Sequence, residues 1–436
     1  LAILAADAQL PVQEVGKLLS LGELGLDGRV RPAPGALATA LALRRSNSPV
    51  PSAIAAGSSD CVCLRAVPGL DVVEAPSLRA LAARLLGEQE SDVGEDSPLP
   101  TFASTDTPRD ACAFKDMSDV KGQPHAKRAL EIAAAGGHHV ALLGRAGVGK
   151  TLLAERLPGI LPDLDDEQAL EVTSIHQLSG RDGGVSVGLA RNPPWFAPHH
   201  TASRAAMVGG GSDNRPSIGM VSLAHHGVLF LDEAAEFEPG VLDALREPLE
   251  SGNVTIARAG FQISVPAAFQ LVLATNPCPC GNALDTHRGA VCRCTPTQRR
   301  RYLSRLSGPL LDRVDVRVVL TRPSLASLAA DADDDSSELI AARVREARAC
   351  LRQRLVGTQW SLMVDVPAEQ LALRWPLAPS ARQKLDSASR KDSMRGRDRV
   401  IRVAWSIAAL AGRDEPSAAD IDDAISLRAS EQQWAA

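Results

Sequence analysis

Gly144-Arg145-Ala146-Gly147-Val148-Gly149-Lys150-Thr151 constrains the fold of this chain more than any other stretch. It reads G-x-x-x-x-G-K-[ST], the pattern of a phosphate-cradling P-loop. The apolar run Val140-Ala141-Leu142-Leu143 before it suits a buried parallel strand, and residues 152–157 after it have helical spacing. Strand, glycine loop and helix in that order predict an α/β chain. Glycines let the backbone wrap a triphosphate, and the N–H groups at the helix start point at the anion. Gly144, Gly147, Val148 and Gly149 would form the cradle. Lys150 would reach the β- and γ-phosphates of ATP, and the Thr151 hydroxyl would bind Mg²⁺.

Hydrolysis needs more than a cradle. A second buried run, Gly227-Val228-Leu229-Phe230-Leu231, ends in Asp232-Glu233. At a strand's C-terminal end, Asp232 would hold the metal directly or through water, and Glu233 would polarise the attacking water. A third run, Phe269 to Thr275, ends at Asn276, whose amide can orient that water and sense the γ-phosphate. Asn276 as a turn former before Pro277 is compatible with the same role. Thr151 and Asp232 stand 81 positions apart, more than a minimal ATPase core requires. The excess, with Gly183-Gly184, Asn192-Pro193-Pro194, Pro198-His199-His200-Thr201 and Gly209-Gly210-Gly211, reads as inserted loops or hairpins. His199, His200, His225 and His226 are candidate metal ligands, but adjacent histidines on a strand face opposite ways. Residues 254–265 read as a β-hairpin with Arg258-Ala259-Gly260 at its tip.

Eight cysteines without secretory features fit a reducing compartment and a cytoplasmic location. Cys278-Pro279-Cys280 and Cys292-Arg293-Cys294 bracket one loop and could give four thiolates to tetrahedral zinc. C-x-C is tighter than the usual C-x₂₋₄-C, and a buried thiol cluster or a redox-labile loop is the alternative. Cys61, Cys63, Cys112 and Cys350 are scattered and read as ordinary thiols. The run from Arg299 to Asp315 is dense in arginine. It fits either a nucleic-acid patch or a subunit edge reaching a neighbour's ATP.

Residues 1–88 read as a small α/β module, with a strand pair around Asp27-Gly28 and a helix capped by Ser77. Residues 89–112 lack periodicity and read as a linker. Residues 113–322 form the nucleotide-binding domain with its hairpins and cysteine loop. Residues 323–436 are mostly helical after the acidic loop 331–335, with Trp360, Trp375 and Trp405 as core or interface. The chain opens without methionine, apparently inside a helix, and reads as a fragment lacking its true N-terminus. A net charge of −5 argues against a coat of nucleic-acid-binding charge but leaves room for a local basic channel. Aromatic content of 3%, with a single Tyr302, makes base-stacking platforms few. With no apolar run long enough to span a bilayer and no signal peptide, no membrane partner is expected.

The P-loop, the strand ending in Asp-Glu, the Asn after the third strand, Leu310-Leu311-Asp312-Arg313 and the helical tail together resemble the AAA+ ATPases. Further runs narrow the resemblance: Val120-Lys121-Gly122-Gln123, Pro198-His199-His200-Thr201, Ser222 to Glu233, and Asn276-Pro277-Cys278-Pro279-Cys280-Gly281. These look like the YifB/ComM family of magnesium-chelatase-like AAA+ ATPases, over nearly the whole chain. The resemblance implies an AAA+ P-loop core of three α/β/α layers with a C-terminal helical lid. It also implies a preceding partial Lon-protease-like α/β domain of the ribosomal S5 domain 2 type. Leu37 best matches that domain's catalytic lysine, so a protease reading fails there. By resemblance, Arg313 is the arginine finger completing a neighbour's ATP site, and Arg395 is sensor 2. A homo-hexameric ring using ATP and Mg²⁺ on branched or single-stranded DNA is implied, as a helicase of natural transformation. In the related MCM helicases a hairpin placed like residues 254–265 enters the central pore, which makes Arg258 a candidate DNA contact. The motor of a magnesium chelatase is the alternative, and a non-enzymatic scaffold a more distant third. Departures from the family pattern are Arg145-Ala146 in place of Pro-Pro, Pro193 and Phe196 in place of arginines, and Trp405 where an arginine is common.

Overall fold

The computed structural model describes residues 1–46, 53–88, 114–180, 188–212, 215–258, 261–283, 291–323, 335–388 and 394–428. The linker expected over 89–112, Gly183-Gly184, Ala259-Gly260 and most of the acidic loop lie outside them. The chain divides into two compact units, Leu1–Ala113 with Leu164–Arg191, and Phe114–Asp163 with Asn192–Ala436.

In the first unit, the parallel strands β1 (Leu18–Leu21), β4 (Ala53–Ala56) and β5 (Val72–Glu74) form a sheet with β4 in the centre. Between β1 and β4, the short antiparallel pair β2 (Glu23–Leu24) and β3 (Val30–Arg31) brackets the Asp27-Gly28 turn. Ser77 caps the helix Leu78–Leu86 by accepting from the Ala80 amide. Leu37, Ile54, Ala56, Cys61, Cys63 and Leu64 form the core, joined by Leu170. Leu37 is 1% exposed and belongs to this apolar core, so no amine nucleophile stands there. Burial pushes the Cys61 and Cys63 thiols up to about 11, which keeps them as inert packing groups. Leu170 sits on the helix Asp166–Ser179, in a segment the sequence pattern assigned to inserted loops or hairpins. Its Asp165–Gln168 capping box was the available start signal.

The second unit is built on five parallel strands in the order β14-β6-β13-β10-β7. They are β6 (Val140–Gly144), β7 (Trp195–Phe196), β10 (Val228–Leu231), β13 (Gln270–Thr275) and β14 (Val316–Leu320). β6, β10 and β13 are buried along their whole length, which is why they read as unbroken apolar runs. Two hairpins interrupt this pattern: β8 (Gly210–Ser212) with β9 (Arg215–Ser217), and β11 (Asn253–Arg258) with β12 (Phe261–Pro266).

The helix Pro124–Gly136 is buried almost all round because the sheet lies on one side and the C-terminal helices on the other. Its alanines 126, 129, 133, 134 and 135 permit that close approach. The helices Ser337–Leu355 and Met394–Leu410 pack on it, with Ile340, Val344, Val400, Val403, Ala404 and Ile407 inside the shared core. The half-buried Arg348 donates to the Ala134 carbonyl (2.8 Å), and Arg343 pairs with Glu131 (2.5 Å). Asp315 is 1% exposed and lies 3.4 Å from His138 Nδ1 and 3.3 Å from Arg399 Nε. Burial alone would raise its carboxyl pKa, but the His138 hydrogen bond and the Arg399 charge hold it at about 2. On its other side, His138 Nε2 is 2.8 Å from Ser406 Oγ on the lid helix. Among the described residues, no helix is long and apolar enough to cross a membrane.

A candidate nucleotide site at the sheet's carboxyl edge

Three of the parallel strands deliver their last residues to one cleft of about 440 Å³, as open α/β sheets do at their carboxyl edge. Ala146, Gly147, Gly149, Lys150, Thr151 and Leu152 come from the turn after β6, Asp232 and Glu233 from the end of β10, and Thr275 and Asn276 from β13. Gly147 and Gly149 have φ of +77° and +101°, values that side-chain-bearing residues rarely adopt. They turn the backbone so that the helix Lys150–Ala154 opens toward the cleft.

Lys150 is 8% exposed and fully coordinated by oxygen. Its Nζ donates to Gly144 O (2.6 Å), Arg145 O (3.0 Å) and Asn276 Oδ1 (2.9 Å). Burial lowers its pKa, and the nearby Asp232 and Glu233 carboxylates counter that shift. The hydroxyl of Thr151 donates to Asp232 Oδ2 at 2.7 Å. A hydroxyl and a carboxylate side by side are hard oxygen donors of the kind Mg²⁺ takes while keeping several of its waters. The residues present therefore fit a nucleotide with its magnesium.

Glu233 stands at φ +50°, a left-handed conformation costly for a residue with a side chain. Its amide is fixed by Asp232 Oδ1 (2.9 Å), and its carboxylate by His200, with Nδ1 3.3 Å from Oε2. The sequence pattern did not assign His200 to this site. It considered His199 and His200 as metal ligands on opposite faces of a strand. In the structure β7 ends at Phe196, and the two rings lie side by side with centroids 4.1 Å apart. His225 and His226 likewise lie side by side, with centroids 3.8 Å apart and rings tilted by 40°, where His226 at φ +56° leaves the extended conformation. The available signal was position: Pro-His-His-Thr follows a strand that pairs with β10, the Asp-Glu strand.

Tyr302 is a second residue that sequence reasoning passed over. Burial pushes its hydroxyl up to about 12, helped by Glu236, and it is hydrogen-bonded to Thr275 and Glu236. Arg313 does not line the cleft. It is ion-paired with Glu250, and it donates to Pro309 O. Arg395 lies in the first turn of the helix Met394–Leu410, and its side chain is outside the described residues, as is that of Arg258 at the end of β11. Cys278, Cys280, Cys292 and Cys294 are brought together, with all four sulfurs within 4.8 Å of one another.

A parallel sheet of this order with a P-loop after its first strand, acids after its third and an amide after its fourth defines the AAA+ class of P-loop ATPases. The family model described as "Magnesium chelatase, subunit ChlI" matches residues 116–328, and "Magnesium chelatase, subunit ChlI C-terminal" matches 334–428. An uncharacterized protein of Mycobacterium tuberculosis H37Rv is 42% identical over 98% of this chain and 82% of its own length. The uncharacterized protein YifB of Escherichia coli K12 is 38% identical over 98% of this chain and 80% of its own. The competence protein ComM of Haemophilus influenzae is 35% identical over 98% and 81%. The chain belongs to the YifB/ComM family of magnesium-chelatase-like AAA+ ATPases. Use of ATP and Mg²⁺ follows from that membership.

The His200–Glu233 contact gives a first expected result. An imidazole 3.3 Å from the carboxylate competes with a water for it, and a partly exposed pair of this kind contributes up to about 1 kcal/mol. His200→Ala should therefore raise nucleotide-only turnover by up to about fivefold. A steady-state phosphate-release assay reads this, and a fall in rate would make His200 a helper of Glu233 rather than a restraint.

Proposed function

We propose that this chain is the motor of a homo-hexameric, Mg²⁺-dependent ATPase ring that acts on DNA, moving strands at branched or single-stranded sites. In it, Gly144, Gly147, Val148, Gly149 and Lys150 hold the phosphates, and Thr151 and Asp232 hold the magnesium. Glu233 activates the water, Asn276 orients it, and Arg313 and Arg395 serve as arginine finger and sensor 2. One observation favours this reading over a chelatase motor. The chelatase models begin at residue 116, whereas the likeness to ComM runs over 98% of the chain and so takes in the N-terminal unit. ATP turnover by the purified protein should rise with duplex, single-stranded or branched DNA. Equal rates with and without every DNA form, in protein that forms rings, would overturn the DNA reading, and stimulation by a tetrapyrrole-binding partner instead would favour the chelatase one.

Supporting the same reading, the hairpin β11–β12 is anchored at its base and polar on its free face. Val254, Ile256 and Val265 are buried in the core that includes β10, while Thr255, Gln262 and Ser264 are exposed. Its register runs from Asn253 opposite Pro266 to Arg258 opposite Phe261, leaving Arg258 at the outer end. An arginine at that backbone position could pair bidentately with phosphate whatever the base sequence. Arg258→Ala should weaken DNA binding uniformly across sequences and reduce the salt slope by about one. Fluorescence anisotropy at several salt concentrations measures both, and an unchanged slope would remove the hairpin from the DNA path.

A further inference from the structure

The loop after β13 carries a group of side chains that ATP chemistry does not use. Cys278 Sγ lies 3.4 Å from Cys280 Sγ and 3.7 Å from Cys292 Sγ, and Cys280 and Cys292 are 3.6 Å apart. With Cys294, all four sulfurs fall within 4.8 Å of one another. A tetrahedral ion with bonds of about 2.3 Å to sulfur sets its ligands roughly 3.8 Å apart. A disulfide would close two of them to about 2.05 Å, and all four are free thiols. An iron–sulfur cube would spread the four sulfurs around a cluster far larger than one ion.

The backbone around them is arranged for thiolate sulfur. The amides of Asn282 and Arg293 donate to Cys280, that of Ala283 to Cys278, and that of Cys280 to Cys294. N–H donors of this kind orient metal-bound thiolates and spread their charge. The Gly281 amide donates to Cys278 O (2.9 Å), closing the turn that carries Cys278 and Cys280.

Both ends of the loop are tied to the nucleotide cleft. Cys278 is two residues after Asn276, whose amide oxygen accepts from Lys150. A side-chain carbon at Gly281 would stand 3.8 Å from the amide nitrogen of Ala146 in the P-loop turn. Cys294 precedes Thr295, which caps the helix Pro296–Leu303. That helix carries Tyr302 back to a hydrogen bond with Thr275, the residue before Asn276. Closing four sulfurs on one ion would close this circuit of chain.

We propose that Cys278, Cys280, Cys292 and Cys294 form a tetrathiolate zinc site whose closure seats Asn276 against the P-loop. The cysteines are positioning residues: they touch the ion, and the ion fixes the loop that carries the amide. The metal site stands on the sulfur geometry alone, whereas its effect on turnover rests on reading the cleft as the ATP site.

Purified full-length protein, prepared without chelator, should contain one zinc per chain by mass spectrometry. Cys280→Ser and Cys292→Ser should lose it, while Cys350→Ser, altered in the helical lid, should keep it. Cobalt-loaded protein should show the thiolate-to-metal charge-transfer absorption that serine variants lack, which reads the site whether or not ATP is hydrolysed. Stripping zinc from the wild type should lower kcat by about 10–100-fold, the range for losing outer-shell support of a working group. KM for ATP should change less than kcat, and added zinc should restore both. Absence of zinc from the wild type, iron in its place, or retention of zinc by both serine variants would overturn the site. Zinc bound and removed with no change in kcat would overturn the seating of Asn276. Zinc bound in a protein that never hydrolyses ATP would leave the metal site intact and count against the ATP reading instead.

Discussion

Lys150→Ala should lose nucleotide binding, whereas Glu233→Gln should keep binding and lose turnover. This separation follows from where the two side chains sit. Lys150 is the buried cation at the mouth of the P-loop helix, and its three acceptors Gly144 O, Arg145 O and Asn276 Oδ1 mark where it can meet phosphate oxygens. Removing it takes away a charge-assisted contact that the bound ground state and the transition state both use, so affinity falls. Glu233 stands on the opposite wall of the cleft, at the end of β10. It has a left-handed backbone, follows Asp232, and lies 3.3 Å from His200. A neutral amide of the same shape cannot take a proton from water, and general-base assistance of this kind contributes about 10²–10⁴ in rate. Equilibrium binding of a fluorescent ATP analogue and single-turnover phosphate release measure the two effects separately. Comparable turnover in wild type and Glu233→Gln would sink the assignment.

Arg313→Ala should bind ATP and hydrolyse it about 10³–10⁵ times more slowly, the contribution of arginine fingers in phosphoryl transfer. In this chain Arg313 is paired with Glu250 and the Pro309 carbonyl and does not line its own cleft. If Arg313 acts as proposed, it serves the cleft of another copy. Mixing Arg313→Ala with Lys150→Ala should then recover activity, because some interfaces would join an intact P-loop to an intact arginine. Failure to recover at any ratio, with mixed rings demonstrated by size and mass, would argue for a role within one chain.

The parts of this fold legible in the sequence are those whose physics is local or continuous. β6, β10 and β13 are buried on both faces, so each appears as an unbroken apolar run followed at once by the residues that line the cleft. The P-loop glycines are legible because only backbone freedom explains them. β7 was not legible: two residues, Trp195 and Phe196, carry no period, and their pairing with β10 is decided by tertiary contact. Nor was His200, since its meeting with Glu233 depends on the turn after β7 and on the strained backbone of Glu233. The cysteine spacing announced four thiols around one loop. It could not announce that the loop returns to β13 through Tyr302, which depends on the capped helix between them.

The first unit borrows residues 164–191 from the far side of the P-loop, and this shapes how the chain can be made and cut. On a ribosome, the core around Ile54 and Leu64 cannot close until Leu170 has emerged, after the whole of β6. The N-terminal unit is therefore first to begin but must wait for a segment beyond the P-loop before its core is complete, unlike domains that fold as uninterrupted segments. Trimming has the same difficulty. A protein begun at Phe114 would retain the helix Asp166–Ser179 without the sheet that buries Leu170, and would present that apolar face to water. A self-standing motor would need residues 164–191 replaced by a short polar bridge from Asp163 to Asn192.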